Sequence, residues 1–193
     1  NTRNPRSTIA TSTEIYDYLR MIFARIGRTY SPITGEEVKC HTTNDVMEYI
    51  FEGEASAAYI LADLDWEARP DKVELMLQLK EEGYTRFFTD RVVRIEEVMQ
   101  RAETGDYPSQ LYLLVDRLKL NGEPDEDLKT RLHASVETAF DKGAGTIYVR
   151  KEVQAQTDDG ASDVQVETKQ FINRFEADGM VFEKPDEYLF SFN

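Results

Sequence analysis

The chain has 193 residues, 40% of them apolar, and its 37 acidic against 23 basic side chains give a formal net charge of −14. That length holds one or two small domains with a real core, and the charge opposes bulk affinity for nucleic-acid phosphate. No apolar run approaches the roughly 20 residues of a membrane span, and the single cysteine, Cys40, rules out an internal disulfide and fits a reducing, cytoplasmic compartment.

The chain opens on polar residues without an initiator Met or a visible signal peptide, as an excised segment would. Thr11 is placed as the N-cap of a first helix, with Glu14 closing a capping box. Ile15, Tyr18, Leu19, Ile22, Phe23 and Ile26 then recur at helical spacing as one apolar stripe, and Gly27 is read as a left-handed stop. A stripe this wide needs a cover, from the later chain or from part of a larger protein. Residues 28–39 are turn-rich, with Ser31-Pro32 and Thr34-Gly35 as turn dipeptides. Thr43 or Asn44 caps a short helix through Ile50, with Val46, Met47 and Ile50 on one side.

From Ala57 the pattern changes. Ala58-Tyr59-Ile60-Leu61-Ala62 reads as a buried strand. Asp71 caps a second helix with Glu74 at the capping-box position; Val73, Met76, Leu77 and Lys80 are its expected inner face and Gly83 its end. Residues 84–88 and 91–94 flank Thr89-Asp90 as a hairpin. Residues 96–108 are polar and are read as a surface connection. Residues 111–120 form a strand that is apolar on both faces until Asp116, so its first half is expected to be central in a sheet. Asp125 caps a third helix, with Leu128, Leu132, Val136, Ala139 and Phe140 inward and Gly143 as its stop. Residues 146–150 are a further strand, Thr157-Asp158-Asp159-Gly160 an acidic flexible tip, and residues 164–168 an alternating, half-exposed strand. Hairpins beside helices predict an α+β fold: a mixed, mostly antiparallel sheet with two packed helices.

No catalytic constellation emerges. The sequence has no Gly-x-x-x-x-Gly-Lys-Ser/Thr phosphate loop. Cys40 and His41 are adjacent and cannot readily face each other across a substrate. His133 lies among the apolar positions of the third helix, near Asp127 and Glu137, and reads as a solvated or core-edge histidine. The clusters Glu81-Glu82, Glu96-Glu97 and Asp125-Glu126-Asp127 read as solvated faces and helix-start charges. Recognition is left as the function class.

Two phrases carry a family resemblance. Asn4-Pro5-Arg6-Ser7-Thr8, Thr13-Glu14-Ile15-Tyr16-Asp17-Tyr18-Leu19-Arg20 and Phe23-Ala24-Arg25-Ile26-Gly27 make one phrase, and Leu189-Phe190-Ser191-Phe192-Asn193 makes the other. Together they bracket the chain and resemble UvrA, the damage-sensing ATPase subunit of the bacterial excinuclease. The resemblance implies a helical part of the ABC signature domain I over residues 1–51, an inserted UvrB-binding domain over 52–170 and a return segment over 171–193. It implies a UvrB-docking module of nucleotide excision repair, not itself an enzyme. The parent would be a homodimer that binds lesions in DNA and hydrolyses ATP. ATP, magnesium and zinc are expected outside this segment, and no cofactor within it.

The same resemblance singles out Arg86, in Gly83-Tyr84-Thr85-Arg86, and Arg117, in Leu114-Val115-Asp116-Arg117, as UvrB-contacting residues. Arginine suits that task because its planar fork makes paired hydrogen bonds to carboxylates and keeps its charge. The competing reading is an intradomain pair, for instance Arg117 with a neighbouring carboxylate. The competing function is a DNA-path element whose signature-domain part touches the duplex backbone. The sequence also departs from the family. Phe175 and Asp178 stand where relatives carry Cys-x-x-Cys, and Ser31-Pro32-Ile33-Thr34-Gly35 where they carry Cys-Pro-x-His-Gly, so sulfur ligation of zinc cannot form there. Phe171, Phe175, Met180 and Phe182 are expected to pack as a small apolar substitute.

Overall fold

A computed structural model describes residues 15–120, 122, 124–156 and 162–183. The expected Thr11–Glu14 cap, the acidic tip at 157–160 and the closing phrase at 189–193 lie outside the described residues. The chain divides into two compact units, one made of the segments up to Cys40 and from Phe175 onward, the other of His41–Arg174.

The second unit is an α+β sandwich of one sheet and one helical layer. Its elements run α2 (Thr43–Phe51), β1 (Ala55–Asp63), α3 (Lys72–Glu81), β2 (Arg86–Phe88), β3 (Val92–Arg94), α4 (Ile95–Ala102), β4 (Tyr112–Lys119), α5 (Glu126–Lys142), β5 (Thr146–Gln156) and β6 (Ser162–Ile172). The sheet order is β3-β2-β4-β1-β5-β6, and each of these neighbouring pairs is antiparallel. β4 and β1 are therefore central, as the doubly apolar run predicts.

All four helices press on one face of this sheet. Val46 and Ile50 of α2, Met76 and Leu79 of α3, Ile95 and Val98 of α4, and Leu132, Val136 and Phe140 of α5 share one core with Ala58, Ile60, Leu113 and Val149 of the strands. Fully burying one such aliphatic side chain is worth about 1.5–3 kcal/mol, so this layer dominates the stability of the unit. The opposite face has its own small cluster, Ala57, Tyr59, Leu61, Phe88 and Leu114, to which no helix contributes.

Local chemistry sets the helix ends. Thr42, one residue before the expected cap, accepts from the Asp45 backbone N–H at 3.2 Å, and the Asp45 carboxylate takes the Thr42 N–H at 2.6 Å, completing a capping box. Asp125 caps α5 by accepting from the Leu128 N–H at 2.8 Å. Asp71 precedes α3 as expected but makes no side-chain cap bond; its carboxylate faces Arg69 at 3.4 Å instead. The inner face of α3 also differs from the expected one. Leu75, Met76 and Leu79 are buried, whereas Val73 and Leu77 are 45% and 46% exposed. Either phase of this helix offers apolar residues, and the one carrying two leucines beside Met76 wins the core. Lys80 turns outward toward Glu96 at 3.8 Å.

The connection expected over 96–108 contains a helix. In α4, Ile95, Val98, Met99 and Ala102 fall at helical spacing and pack against the core, and the intervening charged residues form its outer face.

In the first unit, α1 (Ile15–Ile26) carries the predicted stripe. Ile15, Tyr18, Leu19, Ile22, Phe23 and Ile26 are all exposed. Gly27 closes the helix by donating to the Phe23 carbonyl at 2.8 Å, but not in a left-handed conformation. It is glycine for another reason: a Cβ there would lie 2.3 Å from the Phe23 carbonyl oxygen. Further on, Glu176–Ala177 (β7) and Met180–Val181 (β8) pair across Asp178 and Gly179, whose φ values are 52° and 73°. Two positive φ values are what a tight hairpin turn demands.

At the positions where the resemblance places metal ligands, Asp178 accepts hydrogen bonds from the Ser31 hydroxyl and, at 2.9 Å, from the Thr34 hydroxyl. Phe175 and Phe182 meet edge to face with centroids 6.4 Å apart. Phe171 does not join them. It is buried in the core of the sheet unit, against His41 and Tyr49, because its strand register turns it toward the helices opposite Ile147.

Candidate functional site

Alternation along the strands dictates what the helix-free face presents. β1 contributes Ala57, Tyr59 and Leu61, and β2 contributes Phe88. Arg86 lies two residues from Phe88 on the same side and is exposed. Directly across from it in the register is Arg94 of β3, also exposed. Two like charges facing each other on neighbouring strands repel, so this pair lowers the stability of the hairpin unless an anion joins it.

Arg117 reaches this face through a defect in the sheet. Ile60 pairs with Asp116 and Leu61 with Leu114, so Val115 is the extra residue of a β-bulge. Without the bulge, Leu114 and Asp116 would share a face and Arg117 would point into the helices. With it, Leu114 and Arg117 share the helix-free face and Asp116 turns toward α5. There the Asp116 carboxylate accepts from Arg131 Nε at 3.0 Å, Arg131 Nη2 at 2.6 Å and the Ser135 hydroxyl at 2.9 Å. The neighbouring carboxylate is thus committed elsewhere, and the intradomain pair considered for Arg117 does not form with it. The Arg117 guanidinium instead stacks over the Tyr59 ring at 5.0 Å from its centroid.

Tyr59 sits at the middle of a cross-strand row, with Arg117 on β4 to one side and Arg150 on β5 to the other. Its hydroxyl donates to Glu152 Oε1 at 2.9 Å. Burial first, then that bond to a carboxylate, pushes its pKa above the ordinary phenol value, so it remains a donor at neutral pH. Phe88 stands 6.0 Å from Tyr59, and the Arg150 guanidinium lies over it at 5.0 Å. The two rings are therefore a platform on which two guanidinium groups are stacked. Stacking orients an arginine while leaving the N–H groups at its rim, which lie in its plane, open to acceptors.

The charge of this face opposes that of the chain. Arg86, Arg94, Arg117, Lys119 and Arg150 lie on it by register. Among the described strand residues, Asp63 and Glu152 are the acidic groups on the same side, and Glu152 is engaged by Tyr59. A basic face on a chain of net charge −14 is a local departure from composition.

A family model described as the UvrA interaction domain matches residues 41–153. The chain belongs to the UvrA family. It is 33% identical over 149 residues to UvrABC system protein A of Staphylococcus epidermidis, covering 76% of this chain and 15% of that protein. The same protein of Methanothermobacter thermautotrophicus is 34% identical over 148 residues, covering 76% of this chain and 15% of that protein. That of Rhizobium meliloti is 36% identical over 140 residues, covering 72% and 14%. The chain therefore spans about 15% of the length of the UvrABC system proteins it matches.

In this UvrA-family chain the two expected arginines, Arg86 and Arg117, fall on one face of one sheet. The other sequence candidates do not converge with them. His133 is on the exposed side of α5, with Nδ1 3.5 Å from Glu137. His41 is engaged with the Ile172 backbone, its Nδ1 3.2 Å from the Ile172 nitrogen. Among the described residues no group of three or more histidine, cysteine or acidic side chains is placed to hold a metal ion, and no helix is long and apolar enough to cross a membrane. Sequence reasoning missed Arg94 and Arg150. The alternation Tyr148-Arg150-Glu152 carried a signal for Arg150, since it puts all three on one side of a strand.

Proposed function

We propose that this chain is the protein-docking module of a UvrA protein, and that it binds UvrB through the helix-free sheet face with Arg86 and Arg117 as anchors. In the parent this contact would couple damage sensing and ATP hydrolysis in nucleotide excision repair to the loading of UvrB. The module would be inserted in a signature domain whose flanking parts are the first helix and the return segment. One observation carries the reading: a strand face left bare by all four helices is basic on an otherwise acidic chain, with Arg117 pre-oriented on an aromatic ring. A prepaid orientation lowers the ordering cost of binding, and arginine at the centre of a contact patch is a frequent hot spot. The partner surface it fits is acidic and polar.

Titrating purified UvrB against the chain tests this. The Arg86→Ala, Arg117→Ala double variant should bind at least about tenfold more weakly, since removing one side of a charged hydrogen-bonded contact costs on the order of 2–5 kcal/mol. Equal affinity for both proteins would remove the assigned anchors. Absence of binding to either would remove the role. Binding of duplex DNA at micromolar affinity with a steep salt slope would favour the DNA-path reading instead.

A further inference from the structure

We propose that Arg150 is a third anchor of this face, and that the partner supplies a carboxylate to it; the proposal rests on the docking reading above. The Nε atom of Arg150 is buried and has no hydrogen-bond partner among the described residues. An arginine keeps its proton at any physiological pH, so a buried N–H without an acceptor is a standing cost to the folded state. Glu152, two residues on along β5 and on the same face, accepts from the Tyr59 hydroxyl at 2.9 Å. Meanwhile the guanidinium lies over the Phe88 ring, its Cζ 5.0 Å from the centroid. Packing thus holds the group with its Nε unsatisfied among the described residues.

The register supplies the rest. Arg117 and Arg150 both pair with Tyr59, from opposite sides of β1. Two strand spacings separate their backbones by about 10 Å. Arg86 and Arg94 add a second pair of unneutralised cations facing each other at the β2–β3 edge. The occupant that fits this pattern is a protein surface bearing several carboxylates, one of which meets Arg150, a half-buried residue whose Nε is sealed from solvent, at the outer Nη edge of its guanidinium. In-plane, paired N–H···O contacts are the geometry in which arginine prefers a carboxylate. A purely structural role is the poorer account, because the same stacking could be provided by an uncharged side chain without the orphaned N–H.

The test compares UvrB binding by the wild-type chain, Arg86→Ala with Arg117→Ala, Arg150→Met and Arg150→Lys, alongside a thermal melt of each and a duplex-DNA competition. Methionine keeps the apolar stem over Phe88, and lysine keeps the charge without the fork. Arg150→Met should weaken UvrB binding about tenfold, with Arg150→Lys between it and wild type. The melting temperature of Arg150→Met should stay level or rise, since the orphaned donor is gone. Wild-type affinity in Arg150→Met, with the double variant weakened, removes Arg150 and leaves the docking reading intact. Failure of the wild-type chain to bind UvrB removes both. A melt that falls in step with affinity in both Arg150 variants overturns the proposal in favour of a structural role, as does competition by DNA that depends on Arg150. If Arg150→Met does not fold, the affinity and melt of Arg150→Lys decide.

Discussion

Replacing Lys151 with Met should destabilise the sheet unit by about 2 kcal/mol, and the structure allows that figure to be built up. Lys151 is a lysine that is only 4% exposed. Its Nζ donates to the carbonyls of Tyr49 at 3.1 Å and Glu52 at 3.0 Å, both at the C-terminal end of α2. It also lies 4.1 Å from the Tyr49 ring centroid and 3.5 Å from Glu167 Oε2. Hydrogen bonds to a charged group are worth roughly 1.5–3 kcal/mol each, and a cation at a helix C-terminus adds about 0.3–1 kcal/mol. Against this stands the desolvation of the ammonium, several kcal/mol, which methionine relieves. Both helix-end carbonyls belong to partly exposed residues, so water can replace part of what is lost. The difference leaves a net loss of about 2 kcal/mol. The assay is urea unfolding followed by the fluorescence of Trp66, the single tryptophan, which is buried in the same core. With a slope of roughly 1–3 kcal/mol per molar urea, the midpoint should fall by about 1 M. A midpoint that is unchanged or higher would refute the idea that this ammonium ties α2 to the sheet.

Other outcomes follow from single features. Leu132 is fully buried at the centre of α5, and Leu132→Ala should cost about 3 kcal/mol in the same urea experiment. Hydrogen bonds from Ser31 and then Thr34 hold the Asp178 carboxyl below its ordinary value. Its contribution is therefore complete above the usual carboxylate pKa of about 4 and is lost as pH falls through the depressed value; a carboxyl carbon titration by NMR at or above the ordinary value would count against this clasp. The exposed stripe of α1 should bind an environment-sensitive apolar dye, and Ile22→Glu should reduce that signal with no change in the Trp66 unfolding midpoint.

Much of the fold was legible because the signals were local. The capping residue of α5, the Thr89-Asp90 hairpin and the heavy apolar run of β4 each depend on residues a few positions apart, whereas the cap of α2 falls on Thr42, one residue before the expected position. Where local signals were degenerate, the reading failed. α3 carries apolar residues on two overlapping faces, and only the core it meets chooses Leu75, Met76 and Leu79 over Val73 and Leu77. α4 hid beneath its charges, since four apolar positions among acidic and basic neighbours resemble a surface connection. Arg86 and Arg117 were singled out from the family phrases rather than from any spacing, and Arg150 had no phrase to announce it.

By itself the sequence determined the acidic balance, the α+β class and most element positions, because composition, capping and periodicity act over one or two turns of chain. Tertiary structure decided which side of the sheet each charge occupies. The bulge at Val115 exists only in the pairing of β4 with β1, more than fifty residues earlier in the chain, and it sends Arg117 outward and Asp116 toward α5. Face assignment is a property of register between distant strands, and a one-residue offset reverses it.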